Sequence, residues 1–277
     1  MDIVKFCKEE HNIKLGCHTL QLGTFDHYRN LDPEFSIADA EEGSISYLCS
    51  NNDDLVINSR QFNAITGGGV KITDKDSPNP PEALDAVRIR MDGGEYVGQP
   101  DGTVKIKPGK IEAEVFYPNS YIFCCSILEK GIEPNPKSVS AEYDSYYKIS
   151  SSKLQEFVNT TCRLIAQNLL IGDLKFENEK ILKSHILTLG QPPNVRCIHG
   201  PVEYTDEKTV NLSSPEDFDT NNWMKIFFQS MFKKGSKYKD DGEYRFVFLI
   251  EHPVHRFLPV VSNPKIIEVN PIASMLG

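Results

Sequence analysis

The most regular hydrophobic pattern lies between Lys153 and Leu170. Leu154, Phe157, Val158, Cys162, Ile165 and Leu169 recur at three- and four-residue steps, which predicts a helix with one apolar face. Ser152, followed three residues later by Gln155, fits a capping box, and Gly172 stands just past the end. A second helix is expected over Asn222–Phe232, with Met224, Phe227, Phe228 and Met231 as its stripe and Lys233-Lys234-Gly235 breaking it. Elsewhere the pattern is short and strand-like. Segments at Ile13–Leu22, Ser44–Leu48, Leu55–Ile57, Val70–Thr73, Ala86–Met91, Thr103–Ile106, Ile111–Tyr117 and Ser120–Leu128 are divided by glycine, proline and asparagine turns. Arg196–Tyr204, Glu243–Glu251 and Lys265–Val269 read as later strands. Their spacing and β-branched content favour antiparallel sheet over βαβ units. Residues 1–277 are expected to form one α+β domain, a strand-rich body of mostly antiparallel sheets with a few packed helices.

The strand after Asp241-Gly242 alternates clearly. Glu243, Arg245, Val247 and Leu249 share one face, and Tyr244, Phe246, Phe248 and Ile250 take the other. A carboxylate thus enters an apolar strand beside an arginine on the same face. Two readings stand open: an ion pair at a sheet edge with both heads in water, or a carboxylate at the rim of a cleft supported by Arg245. An earlier stretch, Gly23-Thr24-Phe25-Asp26-His27-Tyr28-Arg29, runs from a strand through a glycine into an aromatic–arginine pair. Gly23 permits close approach, Tyr28 offers a ring to stack and Arg29 an anion receptor. Equally, Tyr28 fits a core position and Arg29 a neutraliser of surrounding acids.

Composition narrows the function classes. With 39% hydrophobic and 25% charged residues among 277, the chain has enough apolar surface for a sizeable core. Its longest apolar runs, such as Phe246–Ile250, are far shorter than the ~20 residues that cross a bilayer, so no membrane association is expected. The amino terminus becomes charged before any apolar stretch develops. No signal peptide is expected, and the seven cysteines read as reduced, buried thiols of a cytoplasmic protein. They form no C-x-x-C pair, and neither Cys17-His18 nor Cys197-Ile-His199 matches a common zinc spacing, so no metal site is expected there. Thr66-Gly-Gly-Gly69-Val-Lys71 lacks the ending of a phosphate-binding P-loop.

The net charge of −9 argues against a protein that holds duplex DNA by neutralising phosphates. The charge is unevenly spread. From Asp26 to Asp54 eight acids face one base, whereas Trp223–Lys239 carries five lysines and no acid. The lysine run is either a solvated face or a surface that meets an anion.

Several of these segments together resemble a bacterial family similar to the ADP-ribosyltransferase superfamily, which includes toxin and phage-defence components. The residues that carry the resemblance are the Gly23-Thr24-x3-Tyr28-Arg29 opening, Asp39-x-x-Glu42-Gly43, the Cys125-Ser126 strand end, Tyr143–Tyr147, and the late Glu243-Tyr-Arg245 strand. The resemblance implies an NAD-dependent ADP-ribosyltransferase with Glu243 as the catalytic carboxylate, Asp241 two residues before it, and Ser126, or else Tyr147, on the middle strand. His18 with Thr19, or Gly23 with Thr24, would then form the first-strand position. It also implies that Arg29 or the late lysines meet the pyrophosphate, that Tyr28 or Tyr147 stacks on nicotinamide, and that Arg245 supports Glu243. A macromolecular acceptor, RNA, DNA or protein, and a neutralising antitoxin follow as expected partners. The alternatives are a non-catalytic binding module on the same scaffold and a metal-dependent nuclease built from Asp39, Glu41 and Glu42.

Overall fold

The computed structural model describes residues 2–31, 39–59, 61–62, 88–92, 95–129, 131–174, 194–207, 209–218, 228–252 and 256–276. Its strands are β1 (Asp2–Cys7), β2 (Thr19–Thr24), β3 (Ser44–Asn51), β4 (Leu55–Asn58), β5 (Arg88–Asp92), β6 (Tyr96–Gly98), β7 (Thr103–Ile106), β8 (Gly109–Phe116), β9 (Tyr121–Leu128), β10 (Ser145–Ile149), β11 (Asn194–Pro201), β12 (Glu203–Tyr204), β13 (Thr209–Leu212), β14 (Lys233–Lys234), β15 (Glu243–His252), β16 (Arg256–Leu258) and β17 (Lys265–Glu268). The helices used below are α1 (Phe25–Arg29) and α2 (Leu154–Asn168).

The main sheet runs β10-β1-β9-β15-β11, with β16 pairing β15, and β2 joining both β9 and β17. A second sheet runs β13-β3-β8-β5 and a third β4-β7-β6. Pairing is antiparallel except for β12 with β14 and β13 with β3. The molecule is therefore strand-rich, mostly antiparallel, with a few helices.

Two strands organise the interior because both of their faces are apolar. On β15, Tyr244, Phe246, Phe248 and Ile250 enter one core with Tyr121, Phe123 and Cys125 of β9. Phe157, Val158, Leu164 and Ile165 of α2 pack into the same core, so the predicted helical stripe finds its partner there. Val247 and Leu249 enter the other core with Ile122 of β9 and residues of β3, β4, β7 and β8. Such doubly buried strands belong in a sheet interior. The edge-of-sheet reading of Glu243 and Arg245 is thus corrected: β15 lies between β9 and β11, and both side chains start it on the face of the second core.

Local predictions failed where side chains redirected the backbone. Ile13–Leu22 is not one strand. Asn12 caps a 3-10 turn at Ile13–Leu15 by accepting from Lys14 N (2.8 Å), Gly16 takes φ +108°, and β2 begins only at Thr19. The capping box does not form, because Lys153 holds the N-cap and leaves Ser152 one residue too early. Ser152 bonds Ser150 instead, and Gln155 bonds Asn159. The helical turn at 228–230 ends before Lys233, as expected, and Lys233 and Lys234 form β14. Val70–Thr73, the Thr66–Lys71 loop and residues 222–227 of the expected second helix lie outside the described residues. No helix among the described residues is long and apolar enough to cross a membrane. None of the seven cysteines forms a disulfide.

Candidate functional site

Registers along β9 and β15 fix the site. Val247 lies opposite Ile122, Arg245 opposite Cys124, and Glu243 opposite Ser126. Directly opposed residues share a face, with Cβ atoms about 4.5–5.5 Å apart. Moving along these columns, the apolar pair belongs to the second core and the next two pairs reach its polar rim. There a cavity of about 100 Å³ is lined by Tyr28, Glu42, Cys124, Ser126, Lys234, Asp241, Glu243 and Arg245, with Lys5 and Tyr143 at its side.

Its charges are buried and paired. Arg245 is 1% exposed, Glu42 1%, Lys234 4% and Glu243 5%. Arg245 Nε donates to Glu243 Oε1 at 2.7 Å, and its Nη1 lies 2.5 Å from Glu42 Oε1 while donating to the Met231 carbonyl. Lys234 Nζ donates to Glu243 Oε2 at 3.1 Å and stands 3.5 Å from Asp241 Oδ2. Two buried cations thus answer two buried carboxylates, which is the condition for tolerating charge away from water. Backbone contacts hold the strand start: Glu243 N–H donates to Tyr204 Oη (2.7 Å), and Ile127 N–H donates to the Gly242 carbonyl (2.6 Å). Gly242 itself takes φ +50°, a left-handed turn that delivers Asp241 and Glu243 to the same cavity.

The two carboxylates differ. Burial alone would raise the Glu243 carboxyl, but Arg245 and Lys234 outweigh burial and hold it down at about 2. Burial dominates at Glu42, and repulsion from Glu243 adds to it, so its carboxyl is raised despite Arg245. Burial raises Asp241 too. Burial works against the Lys234 ammonium, yet Glu243 and Glu42 overcome it and its proton is held more tightly than usual. The Tyr28 phenol and the Cys124 thiol are pushed up by burial, with Glu243 adding to both, so neither is an activated nucleophile.

These shifts fix an acid dependence. A carboxyl depressed in the folded chain contributes stability above its unfolded value that is lost as pH falls through the folded one. For Glu243 the window runs from 4.5 down to about 2. Glu42 works in the opposite sense, because protonation favours its folded form as pH falls. Denaturant midpoints measured across this window should fall steeply for the wild type and much less for Glu243→Gln; parallel curves would contradict the assignment.

Of the residues singled out in the sequence, Glu243, Asp241, Ser126, Tyr28 and Arg245 converge on the cavity. Gly23 serves it indirectly. A Cβ built there would lie 2.6 Å from ring atoms of Tyr28, so only glycine lets that ring lie against β2. Gly23→Ala should cost about 1–3 kcal/mol of stability through overpacking, read as a lower urea midpoint; an unchanged midpoint would show the ring has room to move.

The other candidates do not line this cavity. His18 and Thr19 are exposed: β2 meets β9 only through Gly23 and Thr24, and its start is carried away along β17, where Thr19 opposes Glu268. Thr24 is buried, but its hydroxyl donates to the Ser262 carbonyl and caps α1 by accepting from His27 N. Arg29 is turned to Asp26 (2.9 Å) and the Phe116 ring. Tyr147 belongs to the first core. Neither Glu42 nor Lys234 was assigned to this site: Glu42 was named as a motif residue and a nuclease acid, and Lys234 only within the lysine run, although each carried a signal. Glu42 immediately precedes Gly43 in the acidic run, and Lys234 sits in the lysine run, of which it alone among the described members is buried in the cavity wall. Among the described residues no group of three His, Cys, Asp or Glu is arranged to hold a metal ion, and Glu42, required by the nuclease reading, is paired with Arg245.

No family model matches the chain, and no curated protein or solved structure is significantly similar to it.

Proposed function

We propose that the protein is an NAD-dependent ADP-ribosyltransferase whose reacting ribose is met by Glu243. The observation that carries this reading is a buried carboxylate, fixed by Arg245 and Lys234, facing a small cavity and standing opposite Ser126 on the neighbouring strand. Breaking the nicotinamide–ribose bond builds positive charge on the ribose, as in glycoside hydrolysis. A fixed carboxylate bonded to a ribose hydroxyl becomes more stabilising as that charge grows. Ser126 supplies a hydroxyl beside it, and the Tyr28 ring forms a wall on which nicotinamide stacks. The space of about 100 Å³ is well below the ~300–1,000 Å³ of pockets that engulf a whole ligand. It suits the reacting end of NAD, with the adenosine half lying outside it.

The test is incubation of the purified protein with NAD labelled in its ADP-ribose half, together with cell extract. Label should become attached to a macromolecule, and RNase, DNase or protease treatment then identifies the acceptor. Absence of both attached label and released nicotinamide would contradict the proposal. A second reading, a non-catalytic binding module, is favoured by the small cavity and by the full pairing of Glu243. It predicts saturable nucleotide binding with no release of nicotinamide.

A further inference from the structure

A second carboxylate faces the same cavity, and its placement is over-determined. Glu42 lies in a tight turn between α1 and β3. Asp39 N–H donates to the Tyr28 carbonyl, Glu42 N–H to the Asp39 carbonyl and Ser44 N–H to the Glu41 carbonyl. Asp39 Oδ1 accepts from Glu41 N, and the Ser44 hydroxyl donates to the Glu41 carbonyl. Gly43 takes φ +64° with Phe25 packed where a Cβ would stand, and its carbonyl accepts from Tyr117 N. This turn aims Glu42 at the Arg245 guanidinium, so one cation separates two carboxylates lining one cavity.

The surroundings give the two carboxylates different tasks. Glu243 receives Arg245 Nε and Lys234 Nζ on separate oxygens. Among the described residues the one ion-pair partner of Glu42 is Arg245, and Glu42 faces the negative charge of Glu243, the more distant Lys234, and Asp39 of its own turn. Paired carboxyl groups whose environments push their proton affinities apart mark the acid–base partner and the fixed anion of a site. Here Glu243 stays ionised and Glu42 holds a proton more readily.

We infer that Glu42 is the proton acceptor of this site, taking the proton of the attacking hydroxyl, amine or water. The inference rests on the glycosyl-transfer reading above. In the step, a lone pair of the acceptor forms the new bond to ribose C1′. The C1′–N bond breaks with its electron pair returning to the nicotinamide ring, which becomes neutral, and the acceptor's proton passes to the Glu42 carboxylate. Solvent later removes that proton. Arg245, shared by both carboxylates, keeps them in register throughout.

The discriminating experiment uses azide, a nucleophile that carries no proton. Nicotinamide release from NAD is followed with water or with azide as acceptor, for the wild type, Glu42→Gln, Glu42→Asp and Glu243→Gln. With water, Glu42→Gln should be slower by about 10²–10⁴-fold and should lose the acidic limb of the wild-type pH profile. Azide should restore it close to the wild-type azide rate, while Glu243→Gln stays slow with either acceptor. Glu42→Asp, which keeps the charge on a shorter arm, should be slowed with water and little affected with azide. An equal defect of both Glu42 variants with water and azide, or a Glu42→Gln profile that keeps the acidic limb, would overturn the assignment. A wild type that releases no nicotinamide would instead overturn the transferase reading, and this inference with it.

Discussion

Glu243→Gln should lower the rate of nicotinamide release by about 10²–10⁴-fold, with KM for NAD little changed. Glutamine keeps the size of the side chain and one oxygen for Arg245 Nε, the contact made at 2.7 Å in the wild type. What it removes is the negative charge, and that charge matters most when the ribose is most cationic. An interaction made chiefly in the transition state is read in kcat, whereas one shared equally by bound substrate is read in KM. The substitution also turns an amide donor toward the Lys234 ammonium, which then relies on Asp241 at 3.5 Å. A modest loss of stability is therefore expected alongside the kinetic effect. Steady-state kinetics over a range of NAD concentrations separates the two, and an unchanged kcat would remove Glu243 from the chemistry.

Arg245→Ala should have the largest effect on stability, about 3–5 kcal/mol. That is a large part of the ~5–15 kcal/mol that holds an ordinary domain together. The guanidinium is 1% exposed and serves Glu243, Glu42 and the Met231 carbonyl at once. Its removal leaves two carboxylates facing each other away from water, with Lys234 as the buried cation left beside them. Arg245→Lys should recover little, because one ammonium cannot span the three acceptors that the planar fork reaches. Adding Glu42→Gln to Arg245→Ala should recover part of the loss, since one of the two orphaned charges is gone. Denaturant melts of the single and double variants check this. A single variant within about 0.5 kcal/mol of the wild type, the range of an ordinary surface substitution, would show that the charges reach water.

The two faces of β15 were legible in the sequence because a strand alternates with period two, and Val247 and Leu249 declared the buried face on which Glu243 and Arg245 continue. The α2 stripe was legible for the same kind of reason. The position of β15 in the sheet was not, because nothing in Glu243–Ile250 states that β9 and β11 flank it. That neighbourhood decides whether Glu243 is a surface ion or a buried one. The place of the first-strand residues was hidden in a local detail: Asn12 and Gly16 turn the chain before Thr19, so the residues ahead of Gly23 in sequence run along β17, away from the cavity. Lys234 was hidden within a run of five lysines whose composition reads as a solvated face. Its burial comes from the pairing of β14 with β12, a contact across 30 residues. Glu42 was visible as an acid before a glycine, but its partner lies two hundred residues away.

Diffraction from crystals of Glu243→Gln grown with NAD probes the role of the cavity most directly, because the slow variant should retain the intact dinucleotide. The expected density places the nicotinamide ribose within hydrogen-bond distance of residue 243 and Ser126, the nicotinamide ring against Tyr28, and the C1′ face open toward Glu42. Water filling the cavity while NAD is bound elsewhere, or no NAD at saturating concentration, would contradict it.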